Sequence, residues 1–167
     1  MIKIGNDISS FSTYSCQPKR KRELKKIIKE RIDQYGNNCD LNDIDTSLIK
    51  DMAWLFSDSE FNGDISCWDT SKVTTMRSMF LDSSFDGDIS DWDMRNVTNM
   101  SWMFKNTEFN GDISNWDISN VNNMTRMFEN SEFNQDISNW KIRQDCMTFN
   151  MFNKCKINDN FKPKTPR

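Results

Sequence analysis

The chain has 167 residues, the size of one ordinary domain. It contains no histidine, which excludes Ser-His-Asp and Cys-His catalysis, histidine metal sites and zinc-finger patterns. The net charge of −3 is unevenly distributed: residues 17–36 carry eight Lys or Arg and three acidic residues, whereas residues 37–167 carry 13 Lys or Arg and 21 acidic residues. The acidic longer part argues against nucleic acid as its partner, because phosphate would be repelled.

The sequence also bears on location. No apolar run is long enough to cross a membrane, and the first residues lack the apolar region of a secretory signal. By sequence we therefore expect a cytoplasmic protein, or one exported without a recognisable signal. The five cysteines fit no metal or redox spacing, and we interpret them as isolated thiols of a reducing compartment. They are Cys16, Cys39, Cys67, Cys146 and Cys155.

The two ends of the chain have no apolar periodicity. Residues 1–18 are predicted to form a flexible arm, and residues 162–167 a disordered tail. Between them, residues 19–36 predict an amphipathic capping helix, because apolar residues such as Leu24 and Ile28 recur at helical spacing among Lys and Arg. Gly36 is the expected C-cap.

The helix begins with a basic cluster, Lys19-Arg20-Lys21-Arg22. One interpretation is a patch for nucleic acid or an anionic membrane. The other is a solvated helix face whose apolar side covers the open end of a repeat array. We favour the second interpretation, because terminal repeats need such a cover.

The rest of the chain repeats with a period of 24 residues, which marks a stacked-repeat architecture. Phe61, Phe85, Phe109 and Phe133 each begin a copy of the pattern Phe-x-x-Asp-Ile-Ser-x-Trp. The predicted repeat solenoid covers residues 37–161. Its parts are a degenerate half-coil 37–48, full coils 49–72, 73–96, 97–120 and 121–144, and a C-terminal cap 145–161.

Each coil has two halves. In the first half, apolar residues at offsets 0, 3, 6 and 7 predict short helical turns. In the second half, Asp-Ile-Ser predicts a short strand, and the Gly before it (Gly63, Gly87 and Gly111) indicates a turn in which positive φ would be tolerated. Gln135 fills this place in the last coil, so either the left-handed conformation is not obligatory there or that turn is strained. Stacked coils would align identical side chains in continuous ladders. The predicted fold class is therefore an α/β repeat solenoid capped by an N-terminal amphipathic α-helix.

An acidic column also follows the period. It consists of Asp64, Asp88, Asp112 and Asp136. Each Asp could cap its own turn by accepting backbone N–H bonds, or the column could bind Ca²⁺. We favour the caps, because known Ca²⁺-binding β-roll repeats have a shorter, Gly-richer period. A glycosidase pair is poorly supported, because it should occur at one place rather than in every coil.

Recognition is expected where the copies differ. Trp54 and Trp102 lie off the core columns, and exposed Trp is enriched at interaction hot spots. The alternative for both is packing against flanking loops. The candidate protein-binding residues are Trp54, Arg77, Trp102, Arg126, Asp91, Asn115 and Asn139. No catalytic residue, cofactor or metal ligand is assigned.

The repeat unit, Val-x-x-Met-x-x-Met-Phe-x-x-x-x-Phe-Asn-x-Asp-Ile-Ser-x-Trp-Asp, resembles that of BspA-like leucine-rich-repeat surface proteins of bacteria. Residues 49–144 carry the match, and the lead-in from residue 19 is also similar. The resemblance implies a leucine-rich-repeat-like, right-handed coil stack with short parallel strands, usually on surface or secreted proteins that adhere to host proteins. The motif defines no functional residues, so none is carried over.

The sequence thus predicts a non-enzymatic interaction or adhesion-type module with a protein partner, without nucleic acid and without a transmembrane segment. The alternatives are a structural or self-associating repeat protein, or an intracellular remnant of a larger surface adhesin. An enzyme is the least supported class. The partner's identity and the oligomeric state cannot be read from the sequence.

Overall fold

The computed structural model describes residues 14–164. Within this range the regular elements are helix α1, Lys21–Tyr35, and a one-turn 3-10 helix, Asp159–Phe161. The remaining backbone of this range forms turns and isolated parallel bridges rather than extended strands. None of the helices among these residues is long and apolar enough to span a bilayer.

The backbone pairing joins residues one repeat apart. Five successive positions are linked by parallel bridges: Asp51, Thr75, Asn99, Asn123 and Met147. All five lie in the first half of a repeat. The prediction of a short strand at Asp-Ile-Ser was therefore wrong, and a single bridge, between Asp40 and Asp64, lies at that position within the described range.

The first half of each repeat is also not helical. Alternate amides donate to the next repeat, as Ser78 N does to Ser101 O at 2.9 Å and Phe80 N to Met103 O at 3.0 Å. The amides between them close local turns, as Leu81 N does on Ser78 O at 3.3 Å. Left-handed residues such as Ser78, with φ of 54°, make this alternation possible. The backbone donors thus serve the neighbouring repeat, whereas a helix would bond them internally.

The core consists of aromatic columns. The rings of Phe80 and Phe104 stack at 5.6 Å between centroids, and those of Phe104 and Phe128 at 5.7 Å. The indoles of the second half stack similarly, with Trp116 and Trp140 6.4 Å apart. Each of these indoles also donates its N–H to a carbonyl of the preceding repeat, which satisfies its polar atom in the buried core.

The two ends of the stack are closed differently. At the N-terminal end, α1 buries Leu24 and Ile28 in the same cluster as the first repeats. The helix is shorter than the predicted 19–36, because Arg20 is an extended N-cap, and Gly36 is the C-cap as predicted, with φ of 85°. At the C-terminal end, Phe161 O accepts from Ile137 N at 3.0 Å.

The predicted arm and tail are partly ordered. Cys16 bridges Ile44 in parallel, and Asp45 N donates to Cys16 O at 2.9 Å. The prediction of a flexible arm was therefore wrong for residues 14–18, while residues 1–13 lie outside the described range. At the other end Pro163 is buried, so the tail prediction fails for that residue, and residues 165–167 lie outside the described range.

The repeated glycines are needed because they lack a side chain and not because the backbone takes an unusual conformation there. The left-handed conformation is not used at Gly63, Gly87 or Gly111, since Gly36 is the glycine with positive φ within residues 14–164. A Cβ on Gly63 would lie 2.0 Å from Cys39 O, so this site admits no side chain. The Gln135 that fills this place in the fourth repeat is not in the left-handed region, and it donates to Asn110 O at 2.9 Å.

Candidate functional site

The most distinctive surface feature is an arginine between two tryptophans. The Arg77 guanidinium carbon lies 5.6 Å from the Trp54 ring centroid and 5.8 Å from that of Trp102. These indoles belong to one column, two repeats apart, and the intervening position is Ser78. Because serine is small, a gap one repeat wide separates the rings, and the Arg77 side chain enters it. We call Trp54, Arg77 and Trp102 the Trp–Arg–Trp patch.

The patch is held from below by backbone bonds. Trp54 N donates to Arg77 O at 3.0 Å, and Ser78 N donates to Ser101 O at 2.9 Å. The Ser78 hydroxyl is buried and has no hydrogen-bond partner among the described residues. A buried, unpaired hydroxyl of this kind costs about 1–3 kcal/mol. The small side chain at this position leaves room for Arg77, although its hydroxyl makes no hydrogen bond within residues 14–164.

Arg77 is available to a partner. Its side chain is exposed, and within residues 14–164 it makes no ion pair or side-chain hydrogen bond. Trp54 remains 39% exposed, while Trp102 is half-buried. The patch thus combines apolar ring surface with an orientated guanidinium that has no carboxylate partner within residues 14–164.

The same side of the stack continues toward the C-terminal end. Lys105 Nζ lies 5.7 Å from the Trp102 ring and forms an ion pair of 2.8 Å with Glu129. Hydrogen bonds from Lys105 and Asn153 hold the pKa of Glu129 below its ordinary value. Arg126, predicted as a site residue, also contacts Glu129, at 3.5 Å. Its charge is thereby partly neutralised, unlike that of Arg77.

Two exposed apolar residues were not predicted as site residues from the sequence. Phe149 is 66% exposed beneath the Arg126 guanidinium, and Met147 is 55% exposed. Both lie in the irregular C-terminal cap, where the period is weakest. A signal was present, because Phe149 falls at the repeat position that holds the exposed Arg77 in an earlier repeat.

The remaining predicted residues form a separate group. Asp91, Asn115 and Asn139 are exposed on the second half of their repeats. Asn115 and Asn139 line a hollow of about 260 Å³, and Asn139 Nδ2 donates to Ser114 O at 3.0 Å. No contact among residues 14–164 joins this group to the Trp–Arg–Trp patch. The structure therefore divides the predicted set between two surfaces.

The acidic column consists of turn caps, as we predicted. Asp112 Oδ1 accepts from Ser114 N at 2.9 Å, and the same bond recurs in the other three copies. The bond from the serine N–H lowers the pKa of each Asp. For Asp88, it outweighs the repulsion from Asp64 and Asp112. No group of three or more His, Cys, Asp or Glu in the described part of the chain could hold a metal ion.

The cysteines are separate thiols, as predicted, and none within residues 14–164 forms a disulfide. Burial raises the pKa of the Cys39 and Cys146 thiols. A raised pKa keeps these two thiols protonated near neutral pH, which makes them poor nucleophiles.

Comparison with known proteins gives one family. The profile described as "Mycoplasma protein of unknown function, DUF285" matches residues 23–108 and again residues 81–163. No curated protein and no solved structure matches the chain. The two overlapping matches span both α1 and the stacked repeats, so one family accounts for nearly the whole described structure. The chain therefore belongs to the DUF285 family.

Proposed function

We propose that the chain is a non-enzymatic protein-interaction module, a leucine-rich-repeat-like solenoid of the BspA-like type that presents the Trp–Arg–Trp patch to a protein partner. The stack acts as a scaffold with identical core columns, and binding takes place where the outer columns change.

The position of Arg77 between two indoles carries the proposal. Trp and Arg dominate interaction hot spots, because they combine large contact area with directed donors. Arg77 is held by two rings, so little side-chain entropy is lost when a partner binds. Arg77 has no ion-pair partner within residues 14–164, and residues 37–167 carry 13 Lys or Arg against 21 acidic residues, which suits a protein surface with an exposed carboxylate more than a polyanion.

The repeated polar groups support a non-enzymatic role. The Asp column caps turns and recurs in every repeat, so no single copy is distinguished as a reaction centre. The chain offers no imidazole to act as a general base. Two of its thiols are, moreover, deactivated by burial.

Affinity capture with the immobilised chain tests the proposal. We expect Trp54→Ala/Trp102→Ala to lose the proteins that the wild type captures, because both ring surfaces and the support for Arg77 are removed. Asn115→Ala/Asn139→Ala is the matched control on the second surface and should retain them. Thermal unfolding verifies that both variants fold. If the folded Trp variant captures the same proteins as the wild type, the patch is not the binding site.

A further inference from the structure

A basic hollow of about 420 Å³ lies where the start of α1 meets the first repeat. We call it the basic hollow. Five of its seven lining side chains are cations, contributed by two separate segments of the chain. The lining residues are Lys19, Arg20, Lys21, Arg22, Leu48, Lys50 and Asp51.

Only part of this positive charge is neutralised within the chain. Arg20 pairs with Glu23 at 2.9 Å, and Lys21 pairs with Asp51 at 2.6 Å. The side chains of the other three cations are exposed and form no ion pair within residues 14–164, although the backbone N–H of Lys19 donates to Glu23 Oε2 at 2.8 Å. They are Lys19, Arg22 and Lys50. Three unpaired cations around one hollow attract anions at short range.

The uneven distribution of charge along the chain would orient the molecule near an anion. Residues 17–36 carry a net charge of +5, whereas residues 37–167 carry −8. Since α1 covers the end of the stack, the positive charge lies at one end and the negative charge along the repeats. Near an anionic surface such a molecule is turned so that its basic end faces the surface and its acidic repeats point away.

A planar lipid surface fits this arrangement better than a long nucleic acid. A plane can touch the basic end alone, whereas a nucleic acid longer than the hollow would meet the exposed acidic column that begins at Asp64. Leu48 lines the hollow and is 37% exposed, so an apolar side chain is available at the level of the lipid headgroups.

We propose that the basic hollow docks the chain reversibly on an anionic lipid surface, with α1 against the phosphate headgroups and the repeats projecting away from it. The Trp–Arg–Trp patch consists of other residues, although it borders α1, since Lys25 Nζ donates to Trp54 O at 3.5 Å.

Co-sedimentation of the full chain with vesicles tests the proposal. We expect binding to vesicles that contain phosphatidylglycerol, little binding to pure phosphatidylcholine, and a decrease in binding as salt is raised. Lys19→Glu/Arg22→Glu/Lys50→Glu should lower the partition coefficient by about tenfold or more, because three attractive contacts become repulsive. These exposed side chains make no ion pairs within residues 14–164, and thermal unfolding verifies that the variant folds.

A charge-matched variant serves as the control. Lys154→Glu/Lys156→Glu/Lys164→Glu changes the net charge equally at the opposite end of the stack and should retain most of the binding. An equal loss in both variants would contradict a localised site, and wild-type binding that ignores phosphatidylglycerol would contradict the proposal outright. Anisotropy with a single-stranded oligonucleotide forms a separate arm: tighter binding to the oligonucleotide than to the vesicles would overturn it in favour of nucleic acid.

Discussion

Stacking of the repeats forms both the inner Phe column and the Trp–Arg–Trp patch. It produces a buried core in the first and an exposed cluster in the second. In the inner column every repeat supplies the same residue, so Phe80 and Phe104 stack directly at 5.6 Å. In the outer column Ser78 interrupts two tryptophans, and a residue from the neighbouring column enters the gap. A complete column yields packing, whereas an interrupted one yields an orientated polar group on the surface. We therefore propose that recognition takes place at the positions where the copies differ.

The largest expected effect compares two phenylalanines. Phe104→Ala should destabilise the protein by about 3–5 kcal/mol, because it opens a cavity in a fully buried aromatic stack. Phe149→Ala should change stability by less than about 0.5 kcal/mol, since that ring is mostly exposed. Urea unfolding measures both. Equal losses would mean that inner and outer columns do not differ in packing.

The second comparison concerns glycines at the same place in different repeats. Gly63→Ala should cost about 1–3 kcal/mol, because the new methyl would collide with the backbone carbonyl of Cys39. Gly111→Ala should cost less, because its first obstacle is the Phe109 ring and the nearest backbone oxygen is 3.7 Å away. The midpoints of thermal unfolding compare the variants, and the reverse order would refute the steric explanation.

Acid should weaken the turn caps gradually. The folded pKa of Asp88 and Asp112 lies below the unfolded value, so their contribution to stability is present above the unfolded pKa and is lost as pH falls through the folded pKa. The unfolding midpoint should therefore be constant above about pH 5 and fall below about pH 4. Asp88→Asn/Asp112→Asn keeps an acceptor without a titrating charge and should show a shallower fall. An acid profile identical to that of the wild type would show that these caps do not cause the loss of stability at low pH.

A smaller effect is expected in the patch itself. Arg77→Gln should change stability by about 1 kcal/mol or less, the value of exposed cation–π contacts. It should nevertheless reduce the quenching of tryptophan fluorescence by iodide, because the positive charge between the two outer indoles is lost. Arg95→Gln is the control, since Arg95 pairs with Asp93 and makes no ring contact within the described residues. Reduced quenching in both variants would show a general charge effect.

No effect is expected from chelation. The Oδ1 atoms of the acidic column already accept backbone N–H bonds, so removal of Ca²⁺ should leave the unfolding midpoint unchanged. Differential scanning fluorimetry with EDTA, and with added Ca²⁺, measures this. A shift of the midpoint with added Ca²⁺ would restore the metal interpretation of the column.

The sequence indicated which residues belong to the candidate site, but it did not indicate which of them lie together. The period identified Trp54 and Trp102 as departures from the core pattern, and variation among the copies added Arg77. The insertion of Arg77 between the two rings depends on the small Ser78 in the intervening repeat, which becomes relevant only when the repeats are stacked. Asn115 and Asn139 were grouped with them on variability alone, and the structure places them on another surface.

By itself, the sequence determined the repeat length and the buried columns, and it favoured turn caps over Ca²⁺ ligands for the Asp column. These features depend on spacing along the chain, because a residue recurring every 24 positions meets its own copies wherever the repeats stack. Only the tertiary structure decided where the backbone pairs and which residues meet on the surface. Each backbone N–H can bond either within a local turn or to the neighbouring repeat. Both arrangements are compatible with the same apolar periodicity, so the sequence pattern does not distinguish them. The first half of each repeat therefore looked helical in sequence, although its alternate amides bond across the stack.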